Sequence, residues 1–272
     1  MYPRIVTIGP FTIYGFGLMM GIAFIVASII LTKELKRKKL DPDLGNSITL
    51  IALVAGIAGS KILFLFENWQ DFLRAPIELT FSASGLTWYG GFLLATGCIY
   101  LYIRKKKIPF SKICDATAPA LILGYGIARI GCHLAGDGDY GIPTSLPWGT
   151  NYEHGTYPPS IAFRDVPEIA RNFPNGIVPD NTPLHPTPVY EFILCALIFA
   201  VLWRLRKQKT PDGTLFMWYL ILSGVERFTI EFIRINPPFL FGLSEAQVVA
   251  LVLIAIGLYG MKRIISGTKA LI

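Results

Sequence analysis

Apolar runs long enough to cross a lipid bilayer recur along this chain, and no other feature narrows its fold so far. A bilayer core of about 30 Å is crossed by about 20 residues of helix. Runs at or near that length occupy residues 12–32, 47–66, 86–103, 114–134, 188–203, 214–235 and 246–261. The expectation is an all-α integral membrane protein with about seven transmembrane helices, forming a single transmembrane domain over 1–272. The fourth and sixth runs carry charges, and the fifth is short, with an earlier start near Thr187. Hydrophobic residues make up 53% of the chain and charged ones 16%, which excludes the ordinary soluble globular class.

The basic residues give these runs a direction. If successive spans alternate, Lys and Arg collect at every second connection. Five lie in "KELKRKK" after the first run, five in "RKKKIPFSK" after the third and four in "RLRKQK" after the fifth. Lys262, Arg263 and Lys269 follow the seventh, making 17 of the 25 basic residues. The others, Arg4, Lys61, Arg74, Arg129, Arg164, Arg171, Arg227 and Arg234, lie on the opposite side or within runs. This asymmetry puts the N-terminus outside and the C-terminus in the cytoplasm. The net charge of +7 then reflects topology and attraction to anionic membrane lipids. It is not the footprint of a nucleic-acid partner, because the clusters sit in short turns. The first run is not a cleaved signal peptide, since its basic cluster follows the apolar residues. Cys98, Cys114, Cys132 and Cys195 have neither paired nor C-x-x-C spacing, so neither a disulfide framework nor a zinc site is indicated.

One connection is long. Residues 138–187 are rich in Pro, Gly, Asn and Asp, with Trp148, Tyr152 and Tyr157 interleaved. A loop of that length tends to be functional, and here it is expected to form a small extracytoplasmic head. Residues 67–85, "ENWQDFLRAPIELTFSASG", read equally as an interfacial arm, through Trp69, Phe72 and Leu73, or as an ordinary amphipathic connector. Gly17 and Gly21 match a close-packing helix motif.

The sixth run reads "LFMWYLILSGVERFTIEFIRINPP". At about 100° per residue, Arg227, Glu231 and Arg234 fall within about 60° of one another, whereas Glu226 points elsewhere. A charge deep in a bilayer costs roughly 2.5–3.5 kcal/mol even on a lenient scale. The stripe must line a polar cavity or pair internally. An Arg227–Glu231 ion pair alone would leave Arg234 as surplus positive charge. The fourth run adds Arg129 and, one turn on, His133. By the assigned direction all of these lie in the outer half, where arginines fork bidentately onto lipid phosphate.

At these residues the chain resembles the prolipoprotein diacylglyceryl transferase family. "ARIGCHLAGDGDYG" (128–141) looks like that family's Gly-Arg-x-Gly-Asn-Phe-x-Asn-x-Glu signature. "HPTPVYE" (185–191) is similar to its His-Pro-Ser-Gln-x-Tyr-Glu box, and "ERFTIEFIR" (226–234) to its Arg-Phe-x-x-Glu-Phe-x-Arg helix. "YGG" (89–91) stands where the family has His-Gly-Gly, and "IGPFTIYGFGLMMGIAF" resembles its opening span. The motifs occur in family order. The resemblance implies an enzyme at the outer face of the bacterial cytoplasmic membrane. Such an enzyme moves the diacylglyceryl group of phosphatidylglycerol to the lipobox cysteine of a secreted prolipoprotein precursor, forming a thioether and releasing glycerol phosphate. It requires no metal and no diffusible cofactor.

Carried over residue by residue, the resemblance matches Arg129, Gly131, His185, Pro186, Tyr190, Glu191, Arg227, Glu231 and Arg234. Arg129 and Arg227 would meet the phosphate, with Gly131, His185, Tyr190, Glu191, Glu231 and Arg234 lining the substrate. Departures are concentrated elsewhere. Cys132 and Ala135 replace two asparagines, His133 an aromatic and Ala128 a glycine. Asp137 or Asp139 stands in for the glutamate, and Tyr89 replaces the histidine proposed as base. His133 is one substitute for that base. An unperturbed Tyr titrates near 10. Cys132 as nucleophile, or His133 and Asp137 as metal ligands, would be further departures, while His154 reads as a surface residue. Two alternatives remain open: a related membrane phospholipid-processing enzyme with another acceptor or with water, and a non-catalytic lipid-binding homologue.

Overall fold

The computed structural model describes residues 1–9, 11–82, 85 and 87–269. Two short strands, β1 (Arg4–Ile8) and β2 (Phe11–Tyr14), lead into α1 (Gly15–Arg37). Then come α2 (Leu44–Glu67), α3 (Trp69–Arg74), α4 (Pro76–Phe81), α5 (Trp88–Lys105) and α6 (Phe110–Ala135). The long connection contains β3 (Thr150–Asn151), α7 (Pro159–Ala162), α8 (Pro167–Ala170) and β4 (Pro183–Leu184). The chain ends with α9 (Thr187–Leu205), α10 (Thr214–Ile230), β5 (Pro238–Leu240), β6 (Leu243–Ser244) and α11 (Glu245–Lys269). The strands form two-stranded antiparallel ladders, β1–β2, β3–β4 and β5–β6, and isolated bridges join Gly141 to Arg234 and Pro143 to Leu184.

Helices dominate, as the apolar runs require. Among the described residues, α1, α2, α6, α9 and α11 are long and apolar enough to cross a membrane. α5 and α10 are shorter, at 18 and 17 residues, and end in Arg104, Lys105 and Arg227. The fifth run does begin at Thr187. Two boundaries differ from the sequence expectation. Residues 11–14 are strand, because β-branched Val6, Thr7 and Ile8 pair across the turn at Gly9 (φ +58°) with Ile13, Thr12 and Phe11. The sixth run is not helical to residue 235. α10 gives way to a 3-10 turn at Glu231–Ile233, and Arg234 is extended (φ −82°, ψ 163°). Pro237 and Pro238 explain this, since a proline clashes with the helix before it and restrains its predecessor to extended conformations.

The chain groups into two compact units, residues 1–27 with 117–272 and residues 28–116. In the second unit α2 and α5 cross where Gly59 and Gly90 meet. A Cβ on either would collide with the other's carbonyl oxygen. Close approach therefore occurs here rather than at Gly17 and Gly21, whose Cβ positions face open space. Toward the basic ends of this unit, fully buried Glu34 binds Arg37 through Nε and Nη2 at 2.9 and 2.8 Å, and Lys38 pairs with Asp115 at 3.2 Å. α3 and α4 leave Trp69, Leu73, Ile77 and Phe81 exposed. Residues 83 and 84 of the 67–85 segment, and Leu86 at the start of the third run, lie outside the described residues, as does the side chain of Lys269.

In the first unit small residues again set the spacing. A Cβ at Gly126 would lie 2.8 Å from Cys195 Cβ on α9, and one at Gly131 would lie 3.1 Å from Met19 Cβ on α1. The 138–187 segment has its own small core of Tyr140, Tyr152, Ala162, Phe163, Val178 and Leu184, with Met1 packed against it. It is pinned to the helix ends by backbone bonds. Thr156 donates to Ala135 (2.8 Å), Gly141 to His185 (2.9 Å) and Ile142 to Ile233 (2.9 Å). These bonds carry Asp139 to the ends of α6, α9 and α10.

Candidate active site

Residues from four places in the chain converge on one charge cluster. α6 contributes Tyr125 and Arg129, one turn apart, and the loop after it contributes Asp139. Glu191 comes from the first turns of α9. Arg227, Glu231 and Arg234 come from the end of α10 and the turn beyond.

Glu191 lies at the centre. One oxygen accepts from Arg227 Nη1 at 2.8 Å and from the Tyr125 hydroxyl at 3.0 Å. The other lies 3.1 Å from Arg129 Nε and 3.3 Å from Arg234 Nη1. Its side chain is fully buried. Tyr125 Oη accepts from Arg129 Nε and Nη2 at 3.0 and 2.9 Å, and the guanidinium sits over the tyrosine ring. Glu231 pairs with Arg227 Nη2 at 3.0 Å. Its other oxygen accepts from Asn236 Nδ2 at 2.6 Å and Ser244 Oγ at 2.7 Å. Asp139 closes the cluster from the head side, one oxygen on Arg129 Nη1 and the other on Arg234 Nη2.

Three guanidiniums thus face three carboxylates, so Arg234 is not surplus positive charge. The spacing on α10 cannot show this, because Asp139 and Glu191 approach Arg234 from 95 and 43 residues away. Glu226, which helical periodicity turns away from the stripe, is buried, with Oε1 lacking a hydrogen-bond partner. The cluster is graded in exposure. Glu191, Glu231 and Arg234 are 0–5% exposed, whereas Arg129, Arg227 and Asp139 are 16–28% exposed. The buried members form a floor, and the others present an accessible edge.

Burying paired charges stabilises a protein little compared with packed apolar groups. Six charged groups in an otherwise apolar bundle therefore point to chemistry rather than to stability. The arrangement holds two partly exposed guanidiniums rigidly, with their counter-charges behind them. Such preorganised donors suit an anion, or charge developing on a leaving oxygen.

The loop carboxylates respond in opposite directions. Burial and the charge of Asp139 raise Asp137. Burial also pushes Asp139 up, but the guanidiniums of Arg234 and Arg129 outweigh it and hold the carboxyl at about 2. A depressed acid contributes stability fully above its unfolded value near 4 and loses it as pH falls through its folded value. Thermal unfolding in detergent should show no contribution from Asp139 to pH dependence between pH 7 and about 5. Between pH about 4 and 2 it should lose about 2 kcal/mol, a loss absent in Asp139→Asn. A variant as acid-sensitive as the wild type would contradict the clamp.

The other candidates are placed as follows. His133 Nδ1 lies 3.0 Å from the hydroxyl of fully buried Tyr152, so one ring nitrogen is engaged with the head core. Tyr89 belongs to the other unit, on the first turn of α5, 45% exposed. Gly131 lies against α1. His185 Nδ1 is 3.3 Å from Tyr190 Oη, which accepts from Trp148 Nε1 at 2.8 Å. The ligand atoms of Cys132, Asp137 and Asp139 lie within 4.8 Å of one another, but both Asp139 oxygens are taken by arginines. Sequence reasoning missed Tyr125, although it precedes Arg129 by four residues on one helical face, which is a readable signal. It also missed Asn236, Ser244 and Thr187, whose hydroxyl donates to the Asp139 carbonyl. These lie beyond a helix break or act through the backbone, and no local pattern marks them.

The sequence profile of the family described as prolipoprotein diacylglyceryl transferase matches residues 3–263. The chain is similar to the phosphatidylglycerol–prolipoprotein diacylglyceryl transferase of Clostridium tetani, with 31% identity covering 91% of each chain. It is 30% identical to the Leptospira interrogans protein of the same name, over 92% of this chain and 88% of that one. The Trichormus variabilis protein of that name is 29% identical, over 95% of this chain and 88% of its own length.

Proposed function

The chain belongs to the prolipoprotein diacylglyceryl transferase family, and on that premise we propose that it transfers the diacylglyceryl group of phosphatidylglycerol to a prolipoprotein cysteine. The thiolate sulfur attacks the glycerol carbon that carries the phosphate. A thioether forms, the carbon–oxygen bond breaks, and glycerol phosphate leaves with the electron pair. The observation that carries this reading is the graded cluster. Arg129 and Arg227 keep partly exposed guanidinium edges over a floor fixed by Glu191, Glu231 and Arg234. A phosphate diester gains negative charge as it leaves, and bidentate guanidiniums match its oxygens.

Asp139 already holds Arg129, so its carboxylate and the headgroup phosphate share that guanidinium. His185 and Tyr190, linked to Trp148, lie beside this edge and serve the glycerol or the incoming peptide. The thiol, with an ordinary pKa near 8.5, reacts only after giving up its proton. His133 Nε2 takes that proton in this scheme, a role that a neutral tyrosine such as Tyr89 does not fill. We place seven spans in the membrane, N-terminus outside and C-terminus cytoplasmic, because alternate connections collect the basic residues. Residues 1–272 then form one membrane domain with the 138–187 head outside and 67–85 as an interfacial arm. The cluster faces the outer leaflet of the bacterial inner membrane.

Purified protein given labelled phosphatidylglycerol and a lipobox peptide tests the proposal. Thioether product with released glycerol phosphate is expected. Release without peptide modification would indicate water or another acceptor. Saturable lipid binding without turnover would indicate a lipid-binding homologue.

A further inference from the structure

The hairpin between α10 and α11 has a feature that the transfer reaction does not use. Leu240 pairs with Leu243, so the turn consists of Phe241 and Gly242 alone. Both have positive φ, 51° and 78°. Two left-handed residues in a two-residue hairpin make the turn that Asn-Gly fills most readily. A bulky aromatic in that conformation is a steric outlier. Packing among the described residues does little to offset the strain, because Phe241 is 95% exposed, and Phe239 and Leu240 beside it are 68% and 45% exposed. The stretch from Asn236 to Ser244, "NPPFLFGLS", carries no charge.

Its position indicates what surrounds it. The hairpin runs from the charged end of α10 to the first turn of α11, at one end of two helices read as membrane spans. Exposed Phe and Leu side chains at a membrane surface bury themselves at the boundary between headgroups and acyl chains. Its base is tied to the charge cluster, since Asn236 and Ser244 both bond the same Glu231 oxygen, and the other oxygen holds Arg227. We propose that the Phe239–Phe241 tip sits in the lipid headgroup zone and sets the height of Glu231, and with it Arg227 and Arg234, relative to the lipid phosphates. That this zone belongs to the outer leaflet rests on the orientation given under the proposed function. The partner is the lipid surface. An apolar segment of the protein substrate is the competing occupant.

A single trifluoromethylphenylalanine at position 241, in the full-length protein in phosphatidylglycerol-containing nanodiscs, reads this directly by fluorine relaxation. Lipid spin-labelled near the headgroup should broaden the signal more than a soluble gadolinium chelate does. Equal or stronger broadening by the chelate would overturn the proposal. So would shielding from the chelate that appears only when the lipobox precursor is added. Phe241→Gly keeps the turn and removes the ring. It should fold with an unchanged or raised thermal midpoint and need severalfold more phosphatidylglycerol for half-maximal transfer. The fluorine signal does not depend on turnover, so a tip that inserts in a protein that transfers nothing would overturn the function and leave the anchor standing.

Discussion

Replacing Glu191 with Gln is expected to destabilise the protein more than any other single change in the cluster, by about 3–5 kcal/mol. Glu191 touches Arg129, Arg227 and Arg234, and its side chain has no exposed surface. Without its charge, three guanidiniums face two carboxylates around a side chain that has no exposed surface of its own. Gln preserves the size of the side chain and one accepting oxygen, so the loss reports charge rather than packing. Detergent-solubilised Glu191→Gln should unfold well below the wild-type midpoint. Arg129→Ala would remove a charge of the opposite sign, and combining the two should cost less than the sum, because contacting residues couple. An unchanged midpoint in Glu191→Gln would mean that the three arginines do not depend on this carboxylate.

The second large effect needs no change of charge. Gly141→Ala should keep the fold and lose about 10²-fold in transfer, the scale set by displacing a reacting group by about 1 Å. A Cβ at position 141 would collide with the Ile233 carbonyl oxygen and lie 2.8 Å from Thr187 Cγ2 and 3.1 Å from His185 Cβ. Ile233 is next to Arg234, and Gly141 bridges Arg234 across the ladder. The methyl group can be accommodated only by separating the Asp139 loop from Arg234. Gly17→Ala, where the added carbon meets nothing within 4 Å, is the control and should leave turnover unchanged. A fully active, folded Gly141→Ala would show that the loop's seat on Arg234 does not matter.

The sequence shows which charges matter more clearly than it shows how they are balanced. Arg227, Glu231 and Arg234 stand out because charges on one helical stripe are costly in lipid, and Arg129 stands out for the same reason. The order of the motifs adds His185, Tyr190 and Glu191. The identity of their partners was not legible. Asp139 reaches Arg234 only because a loop crosses over and bonds Ile233, and that bond is between backbones. Arg234 itself is misread by helical periodicity, since two prolines end the helix before it. The strands show a related limit. β-branched residues at 5–8 and 12–13 announce pairing, but they adjoin a long apolar run and are absorbed into it when length is the criterion. The head's core was equally hidden, because its buried Tyr140, Tyr152 and Phe163 are spaced irregularly along turns.

The central claim is that the exposed edges of Arg129 and Arg227 receive the lipid phosphate during transfer. The most direct measurement is thioether formation from labelled phosphatidylglycerol and a lipobox peptide, with wild type beside Arg129→Ala and Arg227→Ala. Each variant should lose about 10²–10³-fold in turnover, the range for removing one donor to developing negative charge. If both variants formed thioether at the wild-type rate, the cluster would not be the phosphate site, whatever family the chain belongs to.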